Sequence, residues 1–114
     1  TPATELQAHL WTTNYPTAAL TPLAATVAMT AASRMEDIGI PALFVFSDED
    51  KVVDARATHA VIARWGAPTR LRLVTDAGDP NRHVVAGDAF SPSTTRQLAD
   101  ETVDWLRSVV GETD

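Results

Sequence analysis

The sequence contains no cysteine, which removes disulfides, thiolate metal sites and a cysteine nucleophile together. It also lacks any basic cluster. Nine Lys and Arg face 15 Asp and Glu, for a formal net charge of −6, and that sign argues against nucleic acid or an anionic membrane surface as a partner. No apolar stretch approaches the ~20 residues needed to span a bilayer, so no transmembrane segment is expected. No secretory signal is recognisable, and a cytoplasmic location is the matching expectation. The acids Asp48, Glu49, Asp50 and Asp54 lack the central glycine and spacing of a twelve-residue calcium loop. The first residue is Thr1 rather than methionine, which reads as a chain processed, trimmed or cut from something longer.

What is present is globular in character. At 114 residues, 45% hydrophobic and 21% charged, the chain has the size of one domain or less. Its most informative stretch is Pro41 to Asp54, PALFVFSDEDKVVD. Five apolar residues, Ala42 to Phe46, are started by a proline and stopped by Ser47. A run this short, rich in aromatic and β-branched residues, predicts a strand buried on both faces at the centre of a parallel sheet. Acids crowd its carboxyl end, where open α/β sheets place their ligands.

The remaining chain frames that strand. Glu5 to Trp11 suits a short helix that Asn14 to Pro16 breaks. Leu20, Leu23, Ala24, Val27 and Ala31 fall at helical spacing, and Thr21-Pro22 reads as cap and first-turn proline of a helix over about 21–33. Its small residues predict ordinary core packing. Asp54 is a natural cap for a helix over about 55–65, with Ala57, Val61 and Trp65 on one face, ended by Gly66. A second strand is predicted at about 69–75, after the first at about 42–47, giving a βαβ unit with parallel strands. Residues 76–90 form a loop rich in Gly, Asp, Asn and Pro. Ser91-Pro92 repeats the cap-plus-proline start ahead of a helix over about 94–110, whose inner face carries Leu98, Thr102, Trp105 and Val109. The fold class is therefore α/β, two parallel strands with flanking helices.

Two positions could carry chemistry. Asp50 and His83 each follow a predicted strand of the same sheet. A carboxylate on one imidazole nitrogen fixes the tautomer and supports the imidazolium formed when the other takes a proton. On composition alone, the favoured reading is Asp50 as a turn residue and His83 as a solvated loop histidine. Asp48 and Glu49 read as solvated loop acids, with Asp48 the substitute acid if the register differs. Asp79 and Asp88 read as turn residues. His9 and His59 lie on predicted helices without metal-ligand spacing, and Trp11, Trp65 and Trp105 read as packing.

From Ile38 through Trp105 the chain resembles the C-terminal part of an α/β-hydrolase, in the bacterial lysophospholipase and monoacylglycerol-lipase-like branch. That branch shows I-x-x-P-x-L-x-x-x-(G/S)-x-x-D-x-x-V at the strand carrying its acid. Here Ile38, Pro41, Leu43, Ser47, Asp50 and Val53 fill those positions. The resemblance implies Asp50 as triad acid and His83, in DPNRHVVAGD, as triad histidine. It implies residues 1–37 as the end of a cap region and the entering helix, and 38–114 as the C-terminal hydrolase segment. The family's nucleophile sits in a G-x-S-x-G turn. None of Ser33, Ser47, Ser91, Ser93 and Ser108 has that setting, so the serine and its oxyanion amides are expected upstream of Thr1. The resemblance thus implies a serine hydrolase of carboxylic or lipid esters, to which this chain supplies acid and histidine while being inactive alone. Its partners would be a small-molecule ester and either the N-terminal half of the hydrolase or a second copy joined through the sheet. Leu10, Trp11 and Tyr15 would line the ester pocket, and no cofactor is implied. A non-catalytic α/β interaction module, or an inactive hydrolase remnant, is the rival. A carboxylate-based phosphotransfer protein is a third option, which would want acids at an earlier strand end as well.

Overall fold

The computed structural model describes residues 4–12 and 14–111. The chain divides into two compact units, Thr1–Arg34 and Met35–Asp114.

In the first unit, α1 (Glu5–Leu10) is capped by Thr4, whose Oγ1 accepts from the Gln7 amide at 3.0 Å. A single 3-10 turn, Thr17–Ala19, runs straight into α2 (Leu20–Ala31). The helix thus begins before Thr21, and the expected Thr21-Pro22 cap is corrected. Pro22 lies inside the first turn, where its missing N–H would have had no intrahelical partner in any case. The expectation of ordinary core is corrected too. No residue of α2 is buried, and its apolar stripe of Leu20, Leu23 and Val27 stands 62%, 58% and 60% exposed.

The second unit starts with a 3-10 turn, Met35–Asp37, followed by β1 (Ala42–Phe46), α3 (Ala55–Arg64), β2 (Thr69–Leu73) and α4 (Pro92–Val110). β1 and β2 pair in parallel, in register from Ala42 opposite Thr69 to Phe46 opposite Leu73. Side chains alternate across a strand, and both faces of β1 are used. Phe44 meets the Trp65 ring edge-on at 5.4 Å between centroids and Phe46 meets the His59 ring at 5.2 Å. On the opposite face Val45 packs against the small core of Val74, Ala77 and Leu98. Every residue of β1 is nonetheless only half-buried. The expected fully buried central strand is therefore an edge, because β2 is the only strand beside it among the described residues.

Element ends follow local chemistry. β1 stops at Phe46 because Ser47 turns inward, 1% exposed, and its hydroxyl accepts from the Glu49 amide. β2 ends at Leu73, two residues short of the expected limit, with Val74 N–H making a last bond to Phe46 O at 2.8 Å. Asp54 caps α3 by accepting from the Arg56 amide. Trp65 leaves that helix in extended backbone, and its indole N–H reaches Ile40 O at 2.8 Å. α4 starts at Pro92, two residues earlier than expected, and ends at Gly111 in the left-handed region, φ 76°. Ser91 occupies its cap position without capping it, since its hydroxyl is engaged in the preceding loop. Among the described residues no helix is long and apolar enough to cross a membrane.

Candidate active site

Because β1 and β2 are parallel neighbours, the loops leaving their carboxyl ends lie side by side. The first, Ser47 to Asp54, carries Asp50. The second, Val74 to Ser91, carries His83. Lys51 joins them: its amide donates to Asn81 O at 2.9 Å and its ammonium to Pro80 O at 3.0 Å. Glu49 and Arg82 add an ion pair at 3.7 Å.

Within this frame Asp50 Oδ2 and His83 Nδ1 lie 2.9 Å apart. The other oxygen, Oδ1, accepts from the amides of Val52 at 2.7 Å and Val53 at 2.9 Å. An ionised carboxylate can only accept, so Nδ1 is the donor in this contact, and in the neutral ring Nε2 carries the lone pair. Nε2 has no hydrogen-bond partner among the described residues. The imidazole is 41% exposed while the Asp50 side chain is 9% exposed. Burial pushes the Asp50 carboxyl up. The Val53 amide, His83 and the Val52 amide outweigh that and hold it below the ordinary value of 3.8.

The histidine loop is built around Asp79, which is 3% exposed. Its Oδ1 accepts from the Asn81 amide at 3.0 Å, and its Oδ2 from the amides of His83 at 3.0 Å and Val84 at 2.9 Å. Burial raises the Asp79 carboxyl, but the amides of Val84, Asn81 and His83 together lower it beneath 3.8. Ser91 ties the far end of the loop: its Oγ accepts from the Asp79 amide at 3.1 Å and donates to Val84 O at 2.5 Å. Arg82 takes a left-handed φ of 56° beside His83, and its guanidinium donates to Thr75 O and Ala77 O.

The other candidate residues fall elsewhere. Asp48 Oδ1 lies 2.7 Å from His59 Nε2, so Asp48 serves a different histidine and Asp50 is the acid beside His83. Glu49 and Asp88 are exposed, as is His9 on α1. Among the described residues no three His, Asp or Glu side chains converge as a metal ion would require. An apolar hollow in the first unit is lined by Tyr15, Pro16, Leu20 and Leu23, with Leu10 and Trp11 not part of it.

Sequence reasoning missed the parts that hold the pair in place. Asp79 was legible only as a turn former, and nothing in the order of residues shows its side chain folding inward under three amides. Lys51 and Ser91 likewise gain their roles from loops that meet only in the folded chain. Chemically, the arrangement offers an imidazole with a fixed tautomer, a carboxylate behind it and an open basic nitrogen. No family model, curated protein or solved structure matches this chain.

Proposed function

We propose that this chain supplies the acid and the histidine of a serine hydrolase of the α/β-hydrolase class, acting on carboxylic esters, lipid esters among them. One observation carries the reading: the 2.9 Å contact between Asp50 Oδ2 and His83 Nδ1, with Nε2 unbonded among the described residues. In the assembled enzyme a serine hydroxyl attacks the acyl carbonyl while His83 Nε2 takes its proton, and Asp50 stabilises the imidazolium that forms. His83 then returns the proton to the leaving alcohol, and a water repeats the sequence to release the acid.

The nucleophile comes from outside these residues. The Ser47, Ser91, Ser33 and Ser108 hydroxyls are engaged with backbone groups, and no hydroxyl bonds His83 among the described residues. That same observation favours a second reading, an interaction module or hydrolase remnant that keeps the packing and has no turnover.

A single series separates the two. The chain alone is expected to show no hydrolysis of a nitrophenyl ester beyond a weak imidazole background, since the nucleophile and oxyanion donors supply most of the rate. A protein extended upstream in its reading frame is expected to contain a G-x-S-x-G turn and to hydrolyse the ester. His83→Ala in that protein should lower kcat about 10³-fold or more. An upstream frame with no such turn, or activity indifferent to His83→Ala, would overturn the proposal in favour of the module. Turnover by the chain alone that disappears with Ser47→Ala would put the nucleophile inside it and overturn the account as well.

A further inference from the structure

We infer that Asp79 is a positioning residue for His83: its buried carboxylate gathers the amides of Asn81, His83 and Val84 and so sets where the imidazole stands relative to Asp50. The inference rests on reading Asp50 and His83 as a working pair, but its own content is geometric.

Three observations converge on it. Asp79 is 3% exposed, and its carboxylate accepts three backbone hydrogen bonds between 2.9 and 3.0 Å, one of them from His83 itself and one from the residue after it. Amides that converge on one anion form a concave nest, a geometry that pairs of right- and left-handed residues and tight turns produce. Arg82, the residue before His83, is left-handed with φ 56°. A non-glycine residue in that region is strained and persists only where its surroundings over-determine it. The second oxygen of Asp79 bonds the backbone at the imidazole, while the Asp79 amide is tied to Ser91 Oγ at the start of α4. Asp79 thus connects the helix start, the loop and the histidine backbone through one residue.

The chemistry of the site makes this placement consequential. The Asp50 carboxylate is already fixed by Val52 and Val53, so the 2.9 Å contact depends on the backbone of the histidine loop. A carboxamide at position 79 has one acceptor oxygen and an NH₂ group that only donates. It could serve only part of the nest, and its N–H₂ would oppose an amide N–H. The loop would then relax the Arg82 conformation and swing the imidazole off Asp50, releasing the fixed tautomer.

Nitrogen-15 NMR of the full chain tests this without any turnover. In the unaltered chain His83 is expected in the Nδ1–H tautomer, with scalar couplings across hydrogen bonds from the Asp79 carboxyl carbon to the amides of His83 and Val84. Asp79→Asn should move His83 at least severalfold toward a mixture of tautomers. Ser91→Ala, which weakens the same loop while leaving the carboxylate nest, should lower the melting temperature but keep the tautomer. An unchanged tautomer in Asp79→Asn would overturn the inference, as would an equal tautomer change in Ser91→Ala. Should Asp79→Asn fail to fold, the couplings in the unaltered chain decide: their absence sinks the nest outright, and their presence with His83 in the Nδ1–H form upholds it. Because none of these readings involves ester hydrolysis, the positioning role can fail while the hydrolase proposal stands, and the reverse.

Discussion

A carboxylate with its lone pairs taken up by backbone amides is set before any substrate arrives. Asp50 and Asp79 are both of this kind, and both sit below the ordinary aspartate value of 3.8, burial opposing and amide donors prevailing. Each therefore binds its proton more weakly in the folded chain than in the unfolded one. Between 3.8 and the lowered folded values the unfolded chain holds more protons, so acid favours unfolding there, and above that window the stabilisation is complete. Urea midpoints at fixed protein concentration are expected to be flat from neutral pH to about pH 5 and then to fall. Asp50→Asn should lower the plateau and make the acid limb shallower, because the group that titrates is gone. A gap between the two proteins that stays constant down to about pH 2 would show that the Asp50 carboxyl is not held by those amides. At this scale the pair was legible only through the resemblance carried by Ile38, Pro41, Leu43 and Asp50, since the residue types alone favoured a turn residue and a solvated histidine. Asp79 was not, since an Asp in a Gly- and Pro-rich loop looks the same whether it faces water or a nest.

At the scale of elements, the histidine loop closes on itself where Gly78 passes the start of α4. A Cβ added there would sit 2.7 Å from Phe90 O and 3.4 Å from Ser91 Cα. The obstacle is backbone, which the Asp79 to Ser91 hydrogen bond holds in place. Gly78→Ala should cost about 1–3 kcal/mol through overpacking. Gly39 is the internal comparison, with nothing within 4 Å of its added Cβ and no left-handed φ. Gly39→Ala should be neutral or stabilise by ~0.4–1 kcal/mol by reducing unfolded-state freedom. Equal urea midpoints for the two variants would mean that the loop ends are not in contact at Phe90. The same scale explains which elements could be read in advance. The first strand and the start of the helix after Asp54 carry their limits in local chemistry: a proline before, Ser47 after, a carboxylate cap. The expected stop at Gly66 does not hold, since α3 ends at Arg64 with Trp65 already in extended backbone and Gly66 takes no left-handed φ. The degree of burial did not follow from that chemistry. β1 looks like a central strand because Ala42 to Phe46 are all apolar, but how many strands flank it is a property of the sheet. α2 has a correct helical period for a buried face and exposes it, since periodicity names the face and leaves its partner unspecified.

For the whole molecule the question is what covers those surfaces. In the second unit the buried hydrophobic residues are Met35, Val74, Ala77 and Leu98. An open apolar groove runs along Val45, Val85, Ala86, Leu98 and Val103, and Leu106 and Val109 on α4 are exposed as well. One edge of β1 is also bare. Ala42 N–H donates to Pro68 O and Phe46 O accepts from Val74 N–H. In a parallel ladder the residues between, Leu43 and Val45, turn their N–H and C=O to the opposite side, where no described strand pairs with them. A two-stranded sheet is marginal in water and an open edge recruits partners. Burying each large apolar side chain is worth roughly 1.5–3 kcal/mol, so several left uncovered forgo a large share of the ~5–15 kcal/mol that holds a domain together. The chain alone is accordingly expected to associate with a second copy through the β1 edge and the groove beside it; on the hydrolase reading proposed above, a serine-bearing portion would cover the same surface. Light scattering on the purified 114-residue chain should give at least twice the monomer mass. Val45→Lys, which places a charge in the groove beside the bare edge, should shift that mass toward the monomer and lower the melting temperature. A monodisperse monomer with a sharp cooperative melt would mean that the apolar surfaces close without a partner. The half-sheet arrangement that sets Asp50 beside His83 would then have to be rebuilt.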